Sequence, residues 1–284
     1  MNEISSKINE FSTTKIQYGT KEFLESNSIV TKIAFLLLVI FLFVILLRLG
    51  ISFLSWALSI NASPKLINGM VDAKQMLIFQ QDPSYNNAAT IYRSVNATDG
   101  IEFTWSVWIF IDNLQYLPGQ YKHIFHKGNN QLASTGLNFP NNAPGLYIAP
   151  NTNSIVVIMN SYNEINEEVT IPNIPLNKWV NVIIRCQNNK MNVYINGTIT
   201  RSIELAGVPK QNYGDVYVAM NGGFDGFISN LWYYNYALGT GSINSLVNNG
   251  PNTKIIGSNG LSNKMAKYLS LRWYFYGNED GYNP

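Results

Sequence analysis

From Ile33 to Leu47 the sequence runs through fifteen apolar side chains without a polar interruption. As a helix that stretch rises about 22 Å, short of a hydrocarbon core of about 30 Å, so a membrane crossing must recruit neighbouring residues. It can extend forward through Arg48 to Leu54 or Trp56, or back past Lys32 to Ile29, because long basic side chains near helix ends reach the headgroups. The favoured span is Ile33 to Trp56, which puts Trp56 at the interface and leaves the small polar stretch Ser59 to Pro64 as the exit. A buried core helix is disfavoured, since few soluble helices are apolar all round for this length. A cleaved signal peptide competes, because Ala57-Leu58-Ser59 has a small-x-small pattern. The preceding residues favour an uncleaved anchor, since Lys7, Lys15, Lys21 and Lys32 are mixed with Glu3, Glu10, Glu22 and Glu25, unlike a short basic leader. Four lysines before the span, against Lys65 and Lys74 beyond it, lean the N-terminus toward the cytosol.

The rest of the chain is apolar enough to fold, at 46% hydrophobic residues, and its net charge of +2 carries no clustered basic footprint. Nucleic acid is therefore not expected as a partner. Cys186 is the only cysteine, which excludes an intramolecular disulfide and a cysteine-built zinc site. Asn makes up roughly 13% of the residues, well above average usage, and points to AT-rich codons.

After about Leu66 the pattern changes to short β-rich runs separated by Asn, Gly and Pro, the signature of an antiparallel sandwich or barrel. In Phe103 to Ile111, alternation puts Phe103, Trp105, Val107, Ile109 and Ile111 on one face, which must be core; Thr104, Ser106, Trp108 and Phe110 take the other. Val180, Val182, Ile184 and Cys186 repeat the pattern, so Cys186 reads as a small buried hydrophobe. Asn188-Asn189-Lys190 turns the chain into Met191 to Ile195, and Asn196-Gly197 suits the two positive φ angles of a type I′ turn before Ile199 to Leu205. The expected organisation is a polar segment over 1–32, a transmembrane helix over 33–56, a linker over 57–68, a β-domain over 69–249 and an extension over 250–284. Residues 1–28 are either a short amphipathic helix built on Ile4, Ile8 and Phe11 or a polar disordered stretch.

The blocks Phe103-Thr-Trp-Ser-Val-Trp-Ile, His126-Lys-Gly, Gly145-Leu-Tyr-Ile, Leu176-Asn-Lys-Trp-Val-Asn-Val and Met191-Asn-Val-Tyr-Ile-Asn-Gly come in a meaningful order. So do Asp215-Val-Tyr-Val-Ala and the closing run from Phe224 to Leu238. Together they resemble the concanavalin A-like lectin/glucanase superfamily, laminin G-like branch, over about residues 70–248. The resemblance implies an all-β fold, two stacked antiparallel sheets in a jelly roll, with loops gathered at a rim.

Fold alone does not give function, so the chemistry is read separately. Retaining glucanases of this superfamily resemble one another in a Glu-x-Asp-x-Glu strand that sets two carboxylates about 5 to 5.5 Å apart. No such run occurs; Glu164, Glu167 and Glu168 come nearest and read as a solvated loop. His123 and His126, three apart, are expected to face opposite ways on a strand and not to share a metal. No nucleophile elbow or phosphate-binding glycine loop is present, and the chain is not expected to be an enzyme. Some laminin G-like domains hold calcium or sugar at the rim, and by that resemblance Asp215, Asn221 and Asp225 are candidate ligands. The simpler reading makes Asn221-Gly222-Gly223 a tight turn and leaves Trp232 and Tyr234 as core or sheet-face residues. Asn96-Ala-Thr and Asn196-Gly-Thr are glycan acceptors only in a secretory lumen.

Residues 268–276 are too aromatic for a solvated tail, and Trp273, Tyr274, Phe275 and Tyr276 are expected to contact a partner or the sandwich itself. Anchor, cysteine-poor domain and aromatic ending together resemble, in layout, membrane-anchored virion proteins of large nucleocytoplasmic DNA viruses. The expectation is a non-enzymatic structural or adhesion protein of a virion internal membrane or a host-derived membrane. Its expected partners are the lipid bilayer and other structural or capsid proteins. The alternative is a membrane-bound, glycan-binding lectin, and a membrane-tethered glycosidase comes third.

Overall fold

A computed structural model of the protein describes residues 29–57, 63–85, 88–94, 96–97 and 100–256. They fall into two units, divided after Ile60.

In the first unit, α1 (Ile29–Ala57) is one uninterrupted helix of 29 residues. Lys32 and Arg48 are its only charged residues, and the stretch Ile29–Leu54 has the length and apolarity of a membrane span, with none of its most apolar window buried by other parts of the protein. At 1.5 Å per residue the helix is about 43 Å long, so it covers both extensions open in the sequence, back to Ile29 and forward through Trp56. The helix begins one turn before Ile33, because nothing in Ile29-Val-Thr-Lys breaks it.

The second unit is the expected two-sheet sandwich. Its strands are β1 (Met70–Asp72), β2 (Leu77–Phe79), β3 (Asn96–Ala97), β4 (Gly100–Asn113), β5 (Lys122–Gly128), β6 (Gly145–Ile148), β7 (Ile155–Met159), β8 (Glu167–Ile171), β9 (Trp179–Gln187), β10 (Lys190–Ile195), β11 (Thr198–Glu204), β12 (Asp215–Val218) and β13 (Asp225–Tyr234); α2 (Thr240–Asn249) follows. The first sheet runs β1-β13-β4-β9-β10-β11, with β3 on β4, and the second runs β2-β12-β5-β6-β7-β8. All these pairings are antiparallel.

Alternation explains the core. Phe103, Trp105, Val107, Ile109 and Ile111 of β4, with Val180, Val182, Ile184 and Cys186 of β9, meet Phe125, Leu146, Ile148, Val157 and Val216 of the second sheet in one apolar cluster. Trp105 sits at its middle, with ring centroids 5.2 Å from Phe125 and 4.9 Å from Tyr233. Burial pushes the Cys186 thiol up to about 12, which keeps it inert at neutral pH. Asn196 and Gly197 take φ of 50° and 81°, as the type I′ turn between β10 and β11 requires.

The opposite face of β4 is buried as well. Trp108, Phe110, Trp179 and Ile183 are covered by Ile243, Leu246 and Val247 of α2, so part of the sandwich has a third layer. Sandwich contacts also reach past both expected ends: Leu66 and Ile67 donate to Leu231 O, and Met70 exchanges backbone bonds with the segment after α2, donating its N–H to Lys254 O and accepting from Ile256 N.

Candidate functional site

At one end of the sandwich β4 begins, β5 ends, β12 begins and β13 ends, and between these strand ends lies a cleft of about 360 Å³. Its floor is the end of the core, Phe103, Trp105 and Tyr233, each 3% exposed or less. Two stretches wall it, the first formed by residues 81–83 and 90–93 and the second by residues 211–213. Gln81 shapes the first, donating from Nε2 to Phe79 O and Ala89 O and accepting from Ile91 N at 2.7 Å, while its own N–H is taken by Asp215 Oδ1 at 2.9 Å. Lys127 supports the second by donating to Asn212 O at 2.7 Å and Gly214 O at 2.8 Å. Burial brings the Lys127 ammonium down to about 8, partly opposed by Asp215. Arg93 and Tyr213 stand exposed at the mouth, Tyr213 at 80%.

The rim beside this cleft is built on Asn160, which is 4% exposed. Asn142 donates its N–H to Asn160 Oδ1 and accepts from Asn160 N; Asn160 Nδ2 bonds Pro140 O; Lys210 N donates to Asn160 O. One side chain and its backbone thus join the loops 138–142, 160–165 and 206–213. These loops turn outward Phe139, Tyr162, Ile165, Val208 and Tyr213, all large apolar residues with 45% or more of their surface exposed. A run of exposed aromatics beside an open cleft is the composition of a contact surface.

The outer face of the second sheet carries a buried pair. The expectation that His123 and His126 face opposite ways is corrected, because β5 slips register against β6 between His123 and Phe125 and the extra residue, Ile124, returns both rings to one side. Their rings lie 2.6 Å apart, Nε2 of His123 to Nδ1 of His126. Met220 N–H donates to His123 Nδ1 and His126 Nε2 bonds Asn129 O, so each ring is neutral with its proton on Nε2. With every ring nitrogen engaged, the pair has no lone pair left for a metal. Desolvation holds His123 well below its usual range and His126 at about 4. Tyr147 flanks His123, Tyr217 stacks on His126, and Asn142 Oδ1 accepts from Tyr147 Oη at 2.6 Å.

The three rim candidates do not converge. Asp215 opens β12 beside the cleft, whereas Asn221 lies beyond the other end of that strand. Asn221, Gly222 and Gly223 all have positive φ, and a Cβ at Gly223 would collide with Ala73 O, so this stretch is shaped as a tight turn. Asp225 is paired with Lys74, which also faces Asp72 and carries Tyr116 against it; Asp112 nearby is raised by burial and by Asp225. The positive charge in that acidic cluster is thus supplied by the chain. Among the described residues no three His, Cys, Asp or Glu side chains form a metal-holding group.

Glu167 and Glu168 prove to be strand residues rather than a loop, since β8 starts on them. As neighbours on a strand they point to opposite sides, and Glu167 Oε2 accepts from Ala206 N at 2.8 Å. Trp232 and Tyr234 are sheet-face residues on the α2 side. Trp273, Tyr274, Phe275 and Tyr276 lie outside the described residues. What the sequence reading missed is the cleft with Arg93, and the Tyr162 and Tyr213 rim; two Tyr residues in Asn- and Gly-rich loops were the available signal.

No curated protein matches the chain. Among solved structures it is similar to the ligand-binding domain of botulinum neurotoxin serotype D in complex with N-acetylneuraminic acid, at 15% identity and a TM-score of 0.46, covering 66% of this chain and 46% of that one. It is also similar to the receptor-binding domain of a botulinum neurotoxin C/D mosaic serotype, at 18% identity and a TM-score of 0.42, covering 53% and 36%. The chain therefore spans less than half of either domain, and identities this low bear on fold only. Residues 83–244, more than half of the chain, match the laminin G-type family model of the concanavalin A-like lectin/glucanases superfamily. With two jelly-roll sheets in the expected places and a model match over most of the sandwich, the chain belongs to the concanavalin A-like lectin/glucanase superfamily.

Proposed function

We propose that the protein is a non-enzymatic, membrane-anchored contact protein whose sandwich meets its partner through the cleft and the Asn160-tied rim. The observation that carries this reading is the exposed run Phe139, Tyr162, Ile165, Val208 and Tyr213 beside an open, apolar-floored cleft. Exposed aromatics that are held by a rigid hydrogen-bonded base lose little freedom on binding, which favours recognition. Glu167 and Glu168 point to opposite faces of β8, and every ring nitrogen of His123 and His126 is hydrogen-bonded, which supports contact over catalysis. By its layout of anchor, cysteine-poor domain and aromatic ending, the protein is a virion component that links an internal membrane to capsid or other structural proteins. Mass spectrometry of purified particles, before and after detergent removes the membrane, tests this: the protein should be present and should stay with the shell only while its rim is intact. Its absence from particles would remove the virion reading.

A membrane-bound lectin is the second reading, favoured by the cleft's combination of Trp105 and Tyr233 with the polar groups of Asp215, Gln211 and Arg93. Binding to a glycan array, lost on Arg93→Ala or Tyr213→Ala, would move the assignment to that reading.

A further inference from the structure

The turn that carries the chain from β12 in one sheet to β13 in the other is tied to a histidine. Between Ala219 and Gly223 four residues are left-handed, Ala219 at φ 52°, Asn221 at 53°, Gly222 at 80° and Gly223 at 56°. Two of them are not glycine, and Ala219 has no polar side chain to favour that conformation, so bonds from the surroundings must hold it. Besides the turn's own bond from Gly223 N to Met220 O, two bonds join it to β5: Ala219 N donates to Ile124 O at 3.0 Å, and Met220 N donates to His123 Nδ1 at 3.1 Å. Only the second ends on a group that can take up a proton. While it lasts, the Met220 side chain stays buried.

His123 and His126 must take up a proton as a unit. A proton is accommodated when His126 becomes an imidazolium that donates from Nδ1 to His123 Nε2 and from Nε2 to Asn129 O, both charge-assisted bonds. His123 is then left with its hydrogen on Nδ1, aimed at the Met220 N–H, and two donors cannot share that bond. The rings cannot part instead without distorting β5, which is paired on both sides, by β12 and β6; the turn lies outside the sheets and gives way first. The titratable groups against the pair are Tyr147 of β6 and Tyr217 of β12, phenols that burial raises above their usual range. The turn and the loop after β5 present only Met220 N–H and Asn129 O to the rings. Lys122 and Lys127, beside the histidines on β5, donate to Pro150 O and Asn212 O, and among the described residues no carboxylate bonds either ring. We propose that the pair is a pH-sensitive latch: uptake of one proton moves the His123 hydrogen to Nδ1, repels the Met220 N–H and opens the turn 219–223 while the two sheets stay paired. The latch uses neither the cleft nor the rim, so it goes beyond the contact reading and does not depend on it.

These are the only two histidines of the chain, so NMR of the full-length protein in detergent, with ¹⁵N-labelled imidazoles, reports the pair alone. At pH 7.5 both rings should be neutral with the proton on Nε2. Between the unfolded value near 6.5 and the folded His126 value of about 4, His126 should become an imidazolium and His123 should change to the Nδ1–H form in one step. Over the same range, hydrogen exchange corrected for its intrinsic pH dependence should show at least about a tenfold loss of protection in 219–223 and none in β9, because opening linked to one proton gains up to about tenfold per pH unit. Carboxylates also take up protons toward pH 4, and Asp225, two residues beyond the turn, is paired with Lys74. His123→Asn separates the two causes: its Oδ1 can still accept from Met220 N–H but does not titrate, so its turn should stay protected down to pH 4. If that variant fails to fold, the spectra and exchange of the parent decide alone. The latch is overturned by His123 keeping its proton on Nε2, by a pair that takes up no proton before the sheets unfold, by a turn equally protected before and after the pair is protonated, or by His123→Asn opening as the parent does.

Discussion

His123 donates from Nε2 to His126 Nδ1 at 2.6 Å, inside a site where both side chains are 1% exposed or less. Adding a proton to either ring means breaking a bond already made, to Met220 N–H or between the rings, so both stay neutral while folded. An unfolded histidine titrates near 6.5. Below that pH the unfolded chain takes up protons that the folded one refuses, so stability falls as pH falls, by roughly 1.4 kcal/mol per unit for each histidine until its folded value is reached. For His126 that value is about 4. Denaturant unfolding of the sandwich at pH 7.5 and pH 5 should show a clear drop at the lower pH, and equal stability at the two would contradict the buried neutral pair. Lys127, brought down to about 8 by burial, acts only in the alkaline range, where stability rises further between its folded and unfolded values.

Trp105 is 1% exposed and touches both Phe125 and Tyr233, so it joins the two sheets at the base of the cleft. Trp105→Ala should cost about 3 to 5 kcal/mol, the usual range for deleting a buried large aromatic. A melting temperature within a degree or two of the parent would mean that the core is not centred there.

Asn160→Ala removes the side-chain bonds to Asn142 N and Pro140 O and leaves buried groups unpaired, at a cost of at least about 2 kcal/mol. Because this residue joins three loops, the loss should be local as well as global. Proteolysis should cut within 138–142 or 206–213 in the variant under conditions that leave the parent whole. A variant as resistant as the parent would show that the rim does not depend on Asn160.

How far the sequence could be read depended on range. Alternation along Phe103 to Ile111 and Val180 to Cys186 assigned core faces residue by residue, because a strand's period of two is local. The left-handed turn at Asn196-Gly197 was equally local. The His123–His126 contact was hidden because a single inserted residue, Ile124, reverses the parity on which face assignments rest. The third layer was missed for another reason: Ile243, Leu246 and Val247 sit at helical spacing, yet in a short segment rich in Gly, Ser and Asn. The cleft could not be read at all, since its residues come from strand ends and loops spread from Gln81 to Tyr233. Asn abundance looked like codon usage, whereas Asn138, Asn142 and Asn160 staple loops and Asn173, Asn177, Asn188, Asn196, Asn221 and Asn230 take left-handed φ values.

The anchor makes its own prediction. α1 is apolar on every side and long enough to span, so alkaline carbonate should leave the full-length protein in the membrane pellet while detergent extracts it. Release by carbonate alone would sink the membrane assignment. Recovery of a chain beginning after Ser59 would favour a cleaved leader instead.

The central claim is that the protein acts by contact through its rim, and site-specific photo-crosslinking in intact particles tests it most directly. A photoreactive residue in place of Tyr213, 80% exposed at the mouth of the cleft, should yield a discrete adduct with a neighbouring structural protein; the same residue in place of Ile199, 50% exposed on the edge strand β11, should not. Equal adducts from both positions, or none from Tyr213 while Ile199 reacts, would contradict the account.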